Sequence, residues 1–441
     1  MKQVDLTKGK VTSVILSLAI PIMTSSLLQF TYNLIDMIWI GGLGSNSVAS
    51  IGSTSFYIGL GYSINALVIV GTGIKVSHAI GRKNNEEVQK YINAGLLLNV
   101  LIGVVYSIVL IFLGKNLIGF LRLGNLEVEN GAYLYMLFNA PIIFLGFFNT
   151  LYTRIFNSFG NNSIALKISA IGIIINTILD PILIYIFKLG IVGAAIGTLV
   201  ANIVMFNLFH LNSNGIIKFN LKVKIDLDKI REIIILGAPM SFQRILFTVV
   251  NIMIARLIAV FGSDAIAAQK IGLQIESITF MVIGGLNGAV TSFVGQNYGA
   301  KKFERVIQGY KSSIKIGVIY SAVTALIFMF MPKLLVEIFL RDENTVLIAC
   351  RYLQIVAVSQ IFSTIEMVSN GLFTGVGKPK IPAYISIIFT ILRIPMALIL
   401  IKLYGLDGVW WSIALSSILK GLISYILYKY KIQYNGREYI I

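Results

Sequence analysis

Long apolar stretches separated by short polar segments run along the whole chain. Each stretch reaches or exceeds the ~20 residues that a helix needs to cross a bilayer, so the pattern predicts membrane-spanning helices. Because several stretches exceed that length, we expect tilted helices or ends that project beyond the lipid. The twelve predicted spans lie at residues 12–40, 48–80, 91–121, 128–158, 164–187, 190–211, 233–261, 265–297, 306–331, 344–375, 380–402 and 406–430.

The first apolar stretch follows Lys2, Lys8 and Lys10 and superficially resembles a signal peptide. It continues to about residue 40, whereas the apolar part of a signal peptide has only about 7–15 residues. No small-residue cleavage site is found near residue 25. We therefore interpret this stretch as an uncleaved first span.

A repeat with an offset of 218 residues relates the two halves of the chain. The offset shortens slightly towards the end of each half, and six spans repeat as six, in the same orientation. This predicts an all-α membrane protein of two pseudo-symmetric six-helix bundles, at residues 1–213 and 233–441, joined by a cytoplasmic linker at 214–232. The matched pairs are Pro21 and Pro239, Asn33 and Asn251, Gly44 and Gly262, Ser45 and Ser263, Ala49 and Ala267, Gly81 and Gly299, Lys83 and Lys301, Gly160 and Gly377, Pro181 and Pro395, Gly190 and Gly405, and Gly193 and Gly408.

The composition excludes an ordinary soluble protein. The chain is 56% hydrophobic and 12% charged, with a mean hydropathy of +0.84, whereas soluble domains are about 25% charged. Its net charge of +17 does not indicate nucleic-acid binding, because the basic residues lie in short runs between apolar stretches. These runs, which include Arg82, Lys83 and Lys301, fall mainly on one predicted side. The positive-inside rule then predicts a multi-pass protein of the plasma (inner) membrane with both termini in the cytoplasm.

Sequence signatures of common enzymes are absent. The chain contains no GxxxxGK(S/T), HExxH or GxSxG motif, so we predict neither an ATP-driven pump nor an enzyme. The single cysteine, Cys350, and the two histidines exclude an intramolecular disulfide and leave no cluster typical of a metal site. We expect a protein without a bound cofactor.

Four carboxylates lie inside predicted spans: Asp36, Asp180, Glu276 and Glu366. An ionised side chain at the centre of a bilayer costs about 2.5–3.5 kcal/mol, so each needs a proton, a cation or a basic partner. Asp180 follows Asn176 by one helical turn and precedes Pro181, which we expect to distort the helix. These oxygens suit a monovalent cation or a shared proton. The alternatives are an Asp180 that caps a broken helix and an Asp36 at the membrane interface.

In the second half, Glu276 and Glu366 either meet a cationic substrate or form structural ion pairs with Arg244, Arg256 or Arg393. Gln243 and Asn287 are further candidates for the lining of a substrate cavity. The repeat places Ile254 opposite Asp36 and Ile394 opposite Asp180. We therefore expect the ion chemistry to be concentrated in the first half.

Four segments carry a resemblance to a known family that extends nearly from end to end: AIPIMTSSLLQFTYNLIDMIWIGGLGSNSVASIG, RIFNSFGNNSIALKISAIGIIINTILDPILIYIFKLGIVGAAIGTLVAN, AAQKIGLQIESITFMVIGGLNGAVTSFVGQNYGAKK and GLFTGVGKPKIPAYISIIFTILRIPMALIL. In this order they are similar to the multidrug and toxic compound extrusion (MATE) antiporters, nearer to the bacterial DinF-like branch than to the NorM branch.

The resemblance implies two six-helix bundles around a V-shaped cavity and export of cationic or amphiphilic compounds in exchange for Na⁺ or H⁺. It also implies a first-half cation site, with Na⁺ as one candidate ion, at Asp36, Asn176, Asp180 and Thr198; Thr198 is indicated by the resemblance alone. The chain departs from the NorM branch in span seven, where QRILFTVVN has no carboxylate. Only Glu276 would substitute for it.

We therefore predict a monomeric secondary antiporter that acts on small molecules by alternating access, with Na⁺ and H⁺ both open as coupling ions. One alternative is a lipid-linked oligosaccharide flippase of the same superfamily, which would need a larger, arginine-rich cavity. A channel or membrane scaffold without coupled transport is a second alternative.

Overall fold

The computed structural model describes residues 5–213, 215, 217, 226–339 and 341–434. These residues form fourteen α-helices and contain no strand. The helices are α1 Val11–Gly41, α2 Ser45–Gly81, α3 Asn85–Phe120, α4 Leu126–Ser158, α5 Asn162–Pro181, α6 Gly190–Asn212, α7 Leu227–Ala259, α8 Ser263–Gly299, α9 Phe303–Phe330, α10 Pro332–Val336, α11 Glu343–Ala357, α12 Gln360–Gly375, α13 Lys380–Tyr404 and α14 Leu406–Tyr428, with π-helical turns at Ile182–Ile186 and Lys429–Tyr434.

Eleven of the described helices are long and apolar enough to cross a membrane, and α11 and α12 together provide the twelfth candidate span. We predicted one continuous helix over 344–375, and this was wrong, since α11 and α12 are bent by 55° at Val358 and Ser359. The backbone N–H and the hydroxyl of Ser359 both donate to the carbonyl of Val356, at 3.0 and 2.9 Å. That carbonyl is the acceptor that an unbroken α-helix would use for the next turn.

The predicted distortion at Pro181 is confirmed. Helix α5 ends at this proline and continues as a π-helical turn over Ile182–Ile186, in which Phe187 N–H donates to the Ile182 carbonyl at 2.9 Å. Proline has no N–H to donate and its ring crowds the preceding turn, so the usual hydrogen-bond ladder cannot pass through it. The widened turn begins at Ile182, two residues after Asp180.

Among the described residues, the first compact unit comprises Asp5 and those within Thr24–Ser241. Within it α4 lies between α2, α3 and α6, and α5 packs against α6. Aromatic rings fill the centre of this unit, where Phe148 contacts Tyr152 and Phe206, and Phe156 contacts Phe209 in edge-to-face pairs. Such packing holds α4 and α6 at a defined spacing.

Among the described residues, the second compact unit comprises Leu6–Met23 and those from Phe242 to Tyr434. Helix α12 lies at its centre and packs against α8, α9 and α14, while α13 packs against α14. Trp410 and Tyr352 are fully buried and meet edge to face, and the Trp410 indole N–H donates to Gln269 Oε1 at 2.6 Å. The apolar core therefore also carries hydrogen-bonded polar side chains.

The division into units differs from the predicted halves at 1–213 and 233–441. The segment Leu6–Met23 belongs to the second unit, where Leu6 N–H donates to Gln296 Oε1 at 3.1 Å. Conversely, α7 belongs to the first unit up to Ser241, whose hydroxyl donates to the Ser63 carbonyl at 2.7 Å. Hence α1 and α7 each contribute to both units. Most of the predicted linker at 214–232 lies outside the described residues.

Candidate cation site

The first unit brings together carboxyl side chains from two helices that are far apart in sequence. Asp36 lies in the C-terminal half of α1, and Asp180 is the last residue before Pro181 in α5. Their side chains are neighbours, close enough to interact directly. Two carboxyl groups make such a contact only when they share a proton or when a cation neutralises them, because two bare carboxylates repel.

Asp180 is fully buried, and its two carboxyl oxygens have different surroundings. Asn176, one turn earlier in α5, donates from Nδ2 to Asp180 Oδ1 at 2.5 Å. The Oδ2 atom is buried and accepts no hydrogen bond from a nitrogen or hydroxyl group of the described residues. A buried acceptor without a donor is costly, and here it provides a position for a proton or a small cation.

Helix α6 closes the site from another side. A Cβ atom added at Gly197 would overlap Asp180 Oδ1 and lie 3.2 Å from Asn176 Nδ2, so glycine permits the close approach of α6 to the carboxyl group. The neighbouring Thr198 lies beside Tyr32 of α1, and its Oγ1 atom donates to the Ala194 carbonyl at 3.0 Å. Thr198 is thus next to a tyrosine that itself neighbours the carboxyl pair.

Two tyrosines that we did not predict complete the surroundings. Tyr32 and Tyr135 both lie close enough to Asp36 and Asp180 to interact electrostatically with them. Tyr32 stands one turn before Asp36 on α1, a spacing that the sequence shows. Tyr135 comes from α4, and its proximity depends on how α4 packs, for which the sequence contains no signal.

Neither Asp36 nor Asp180 forms an ion pair within 4.0 Å with a basic residue of the part of the chain that the structure describes. The structure therefore brings Asp36, Asn176 and Asp180 together, with Thr198 on the neighbouring helix α6, and no arginine or lysine of the described residues pairs with either acid. Their role in binding Na⁺ or H⁺ stays a prediction.

In the second unit, Glu276 is buried and held by neutral donors. Tyr352 Oη donates to Glu276 Oε2 at 2.7 Å, and Gln360 Nε2 donates to Oε1 at 3.0 Å. Arg393 lies near enough to interact electrostatically but is not within ion-pair distance among the described residues. Of the partners we considered for Glu276, Arg393 is therefore the one placed nearby, as an electrostatic neighbour.

Besides Glu276, three residues of the second half are candidates for the lining of a substrate cavity. Glu366 of α12 is half-buried and interacts electrostatically with Arg393. Asn287 of α8 accepts a hydrogen bond at Oδ1 from Thr291 Oγ1 at 3.3 Å. Gln243 of α7 has a buried Oε1 atom without a hydrogen-bond donor among the described residues. The proposed contribution of all four to a substrate cavity stays a prediction.

Comparison with known protein families assigns the chain to a family and tests the predicted repeat. The profile of the MatE family matches residues 21–182 and 239–399, which together cover most of the chain. The chain belongs to the MATE family of membrane transporters. The two matched stretches begin 218 residues apart, so the predicted repeat is confirmed. MATE proteins are transporters, and the expectation that the chain is not an enzyme is confirmed by its family.

Individual relatives agree with this assignment. The multidrug export protein MepA of Staphylococcus saprophyticus is 26% identical over 427 residues, covering 95% of this chain and 94% of that protein. A solved multidrug resistance MATE transporter in an outward-facing conformation has a TM-score of 0.91 at 23% identity, with 98% of each chain covered. A transporter of the same superfamily from Pyrococcus furiosus has a TM-score of 0.90 at 24% identity, again over 98% of each chain.

These matches confirm the predicted all-α, multi-pass membrane fold. The relatives are described as multidrug export proteins and MATE transporters, so the alternative of an oligosaccharide flippase is not favoured.

Proposed function

We propose that this MATE transporter is a secondary antiporter of the cell membrane that exports cationic or amphiphilic small molecules in exchange for H⁺ or Na⁺. The name of the relative MepA, a multidrug export protein, supports the export of small molecules. The pairing of Asp36 with Asp180 supports cation coupling. The basic runs on one side support cytoplasmic termini, and the protein acts as a monomer.

The observation that carries the proposal is the contact between two carboxyl groups, in which the buried Asp180 Oδ2 accepts no hydrogen bond from a nitrogen or hydroxyl group of the described residues. Two unit charges of the same sign about 4 Å apart repel by about 4 kcal/mol at an effective dielectric constant of 20. A cation that binds between them removes this repulsion, and its release restores it. That energy is comparable with the ~5.5 kcal/mol that moves a two-state equilibrium from 1:99 to 99:1.

Binding of one cation therefore has enough energy to bias helices α1, α5 and α6 between two arrangements, as alternating access requires. The cation enters down its gradient, and the altered helices lower the affinity for the exported compound. One elementary charge that moves through 100 mV supplies about 2.3 kcal/mol, which is sufficient to drive a useful concentration gradient.

The test is transport of ethidium by the purified full-length protein in proteoliposomes, with Na⁺ and pH gradients imposed separately. We expect one of the two gradients to accelerate ethidium movement against its own gradient, and the rate to saturate with ethidium concentration. Transport that ignores both gradients would refute the antiport mechanism, and a flux that never saturates would instead indicate a channel.

A further inference from the structure

Two basic side chains are buried inside the second unit. Arg393 of α13 is 7% exposed and Lys420 of α14 is 3% exposed, and the two lie near enough to interact electrostatically. A buried charge is costly unless it is neutralised or densely hydrogen-bonded, and two like charges increase that cost. Their placement therefore needs a physical reason.

Hydroxyl groups surround these cations. Arg393 Nε donates to Ser416 Oγ at 2.7 Å, and Lys420 Nζ donates to Thr390 Oγ1 at 2.8 Å. Longer bonds of 3.4 Å connect Arg393 Nη2 with Ser417 Oγ and Lys420 Nζ with Ser386 Oγ. Hydroxyls stabilise a cation through their dipoles but leave its charge in place.

No carboxylate of the described part of the chain lies within 4.0 Å of either cation. The nearby Glu276 is already held by Tyr352 and Gln360. Glu366, the leading electrostatic neighbour of both cations, is only half-buried, so water weakens its field at Arg393 and Lys420. The cations thus keep the capacity to bind a negatively charged group directly.

The repeat relates this cluster to the cation site of the first unit. By the Pro181–Pro395 match, α13 corresponds to α5, and Thr390 occupies the position of Asn176. By the match of Gly193 with Gly408, α14 corresponds to α6. The corresponding helix pairs therefore carry a carboxyl site in the first unit (α5 and α6) and a basic site in the second (α13 and α14).

The geometry points to an anion-binding site formed by Arg393 and Lys420, which takes the carboxylate of an amphiphilic substrate. This deepens the proposed export function and rests on it. Phe247 of α7 lies over the Arg393 guanidinium at 5.8 Å and is 42% exposed, so a partly exposed apolar ring borders the site. An aromatic carboxylate matches this combination of apolar surface and paired positive charge.

The test uses a rhodamine carboxylic acid and its ethyl ester, which differ only in whether the carboxylate is free. Equilibrium binding of both dyes to the purified full-length protein is measured by fluorescence. Hydrogen bonds to charged groups contribute about 1.5–3 kcal/mol, so Lys420→Met is expected to weaken binding of the acid about tenfold or more relative to the ester. Lys420→Arg should retain the preference for the acid. Lys402→Met, which removes an exposed lysine from α13, should leave the acid-to-ester ratio unchanged.

If Lys420→Met leaves the ratio of the affinities for acid and ester unchanged, even with a loss of affinity that is equal for both dyes, the anion site is refuted. If Lys420→Met fails to unfold cooperatively on heating, Arg393→Lys provides the same readout, since it keeps the charge but loses the planar fork that binds carboxylates. Exchange of the ester against an ion gradient is measured in parallel with Asp180→Asn. If Asp180→Asn abolishes ester exchange but Lys420→Met leaves the acid-to-ester affinity ratio unchanged, only the anion site is overturned. If ester exchange does not depend on Asp180, the coupling mechanism is overturned.

Discussion

In the first unit, α5 and α6 place Asn176 and Gly197 next to the carboxyl group that Asp180 contributes to the pair with Asp36. In the second unit, the corresponding helices α13 and α14 bury Arg393 and Lys420 among hydroxyl groups. The two helix pairs are related by the repeat, which matches Pro181 with Pro395 and Gly193 with Gly408. Some of the residues that shape the backbone are therefore common to both units, whereas those that carry charge differ. Duplicated scaffolds can diverge in this way because a few interior side chains set the electrostatics of a site.

The largest expected effect concerns the carboxyl pair. Asp180→Asn keeps the size of the side chain but removes the charge that attracts a cation, so we expect export of ethidium to fall by about 5- to 150-fold. Export from intact cells measures this. Asp228→Asn, which neutralises an exposed acid at the start of α7, is the matched control and should export normally. Wild-type export by Asp180→Asn would mean that the first unit does not hold the coupling site.

A smaller effect is expected from Gly197→Ala. The added methyl group would overlap Asp180 Oδ1, and overpacking of a filled interior costs about 1–3 kcal/mol. We expect a lower thermal unfolding temperature in detergent together with slower ethidium transport. Gly59→Ala is the control, because an added Cβ there meets no atom within 4 Å.

Comparison of the two units shows why the effect of Gly197→Ala is expected only in the first unit. The position that corresponds to Gly197 in α14 is Ser412, which already carries a side chain. If Gly197→Ala were as stable and active as Gly59→Ala, the close approach of α6 to Asp180 would have no functional importance.

The smallest effect concerns Glu276 in the second unit. Tyr352→Phe removes the hydroxyl that donates to Glu276 Oε2 but leaves the bond from Gln360, so we expect a loss of about 1 kcal/mol in the free energy of unfolding. Tyr384→Phe, at a tyrosine that is 59% exposed, should change it by less than about 0.5 kcal/mol. Thermal unfolding compares the two variants. The ion dependence of ethidium transport should stay the same in Tyr352→Phe, and its loss would show that the second unit takes part in coupling.

Much of the site could be predicted because its signals are local. Asp36 and Asp180 stand out as acids within apolar spans, and Asn176 lies one turn from Asp180. Thr198 was predicted only from the family resemblance, because a hydroxyl side chain in a membrane span is common and costs little free energy. Tyr135 could not be predicted, because it reaches the carboxyl pair only through the packing of α4.

The apolar pattern and the repeat by themselves determined the membrane-spanning helices, their number and the relation between the halves, since the length of a span and the spacing of prolines and glycines are properties of the chain. The tertiary structure alone decided that Asp36 meets Asp180, that Glu276 is held by Tyr352 and Gln360, and that α1 and α7 each belong to two units. Contacts of this kind depend on how helices rotate and cross, and a helix with apolar residues on every face carries little information about its rotation.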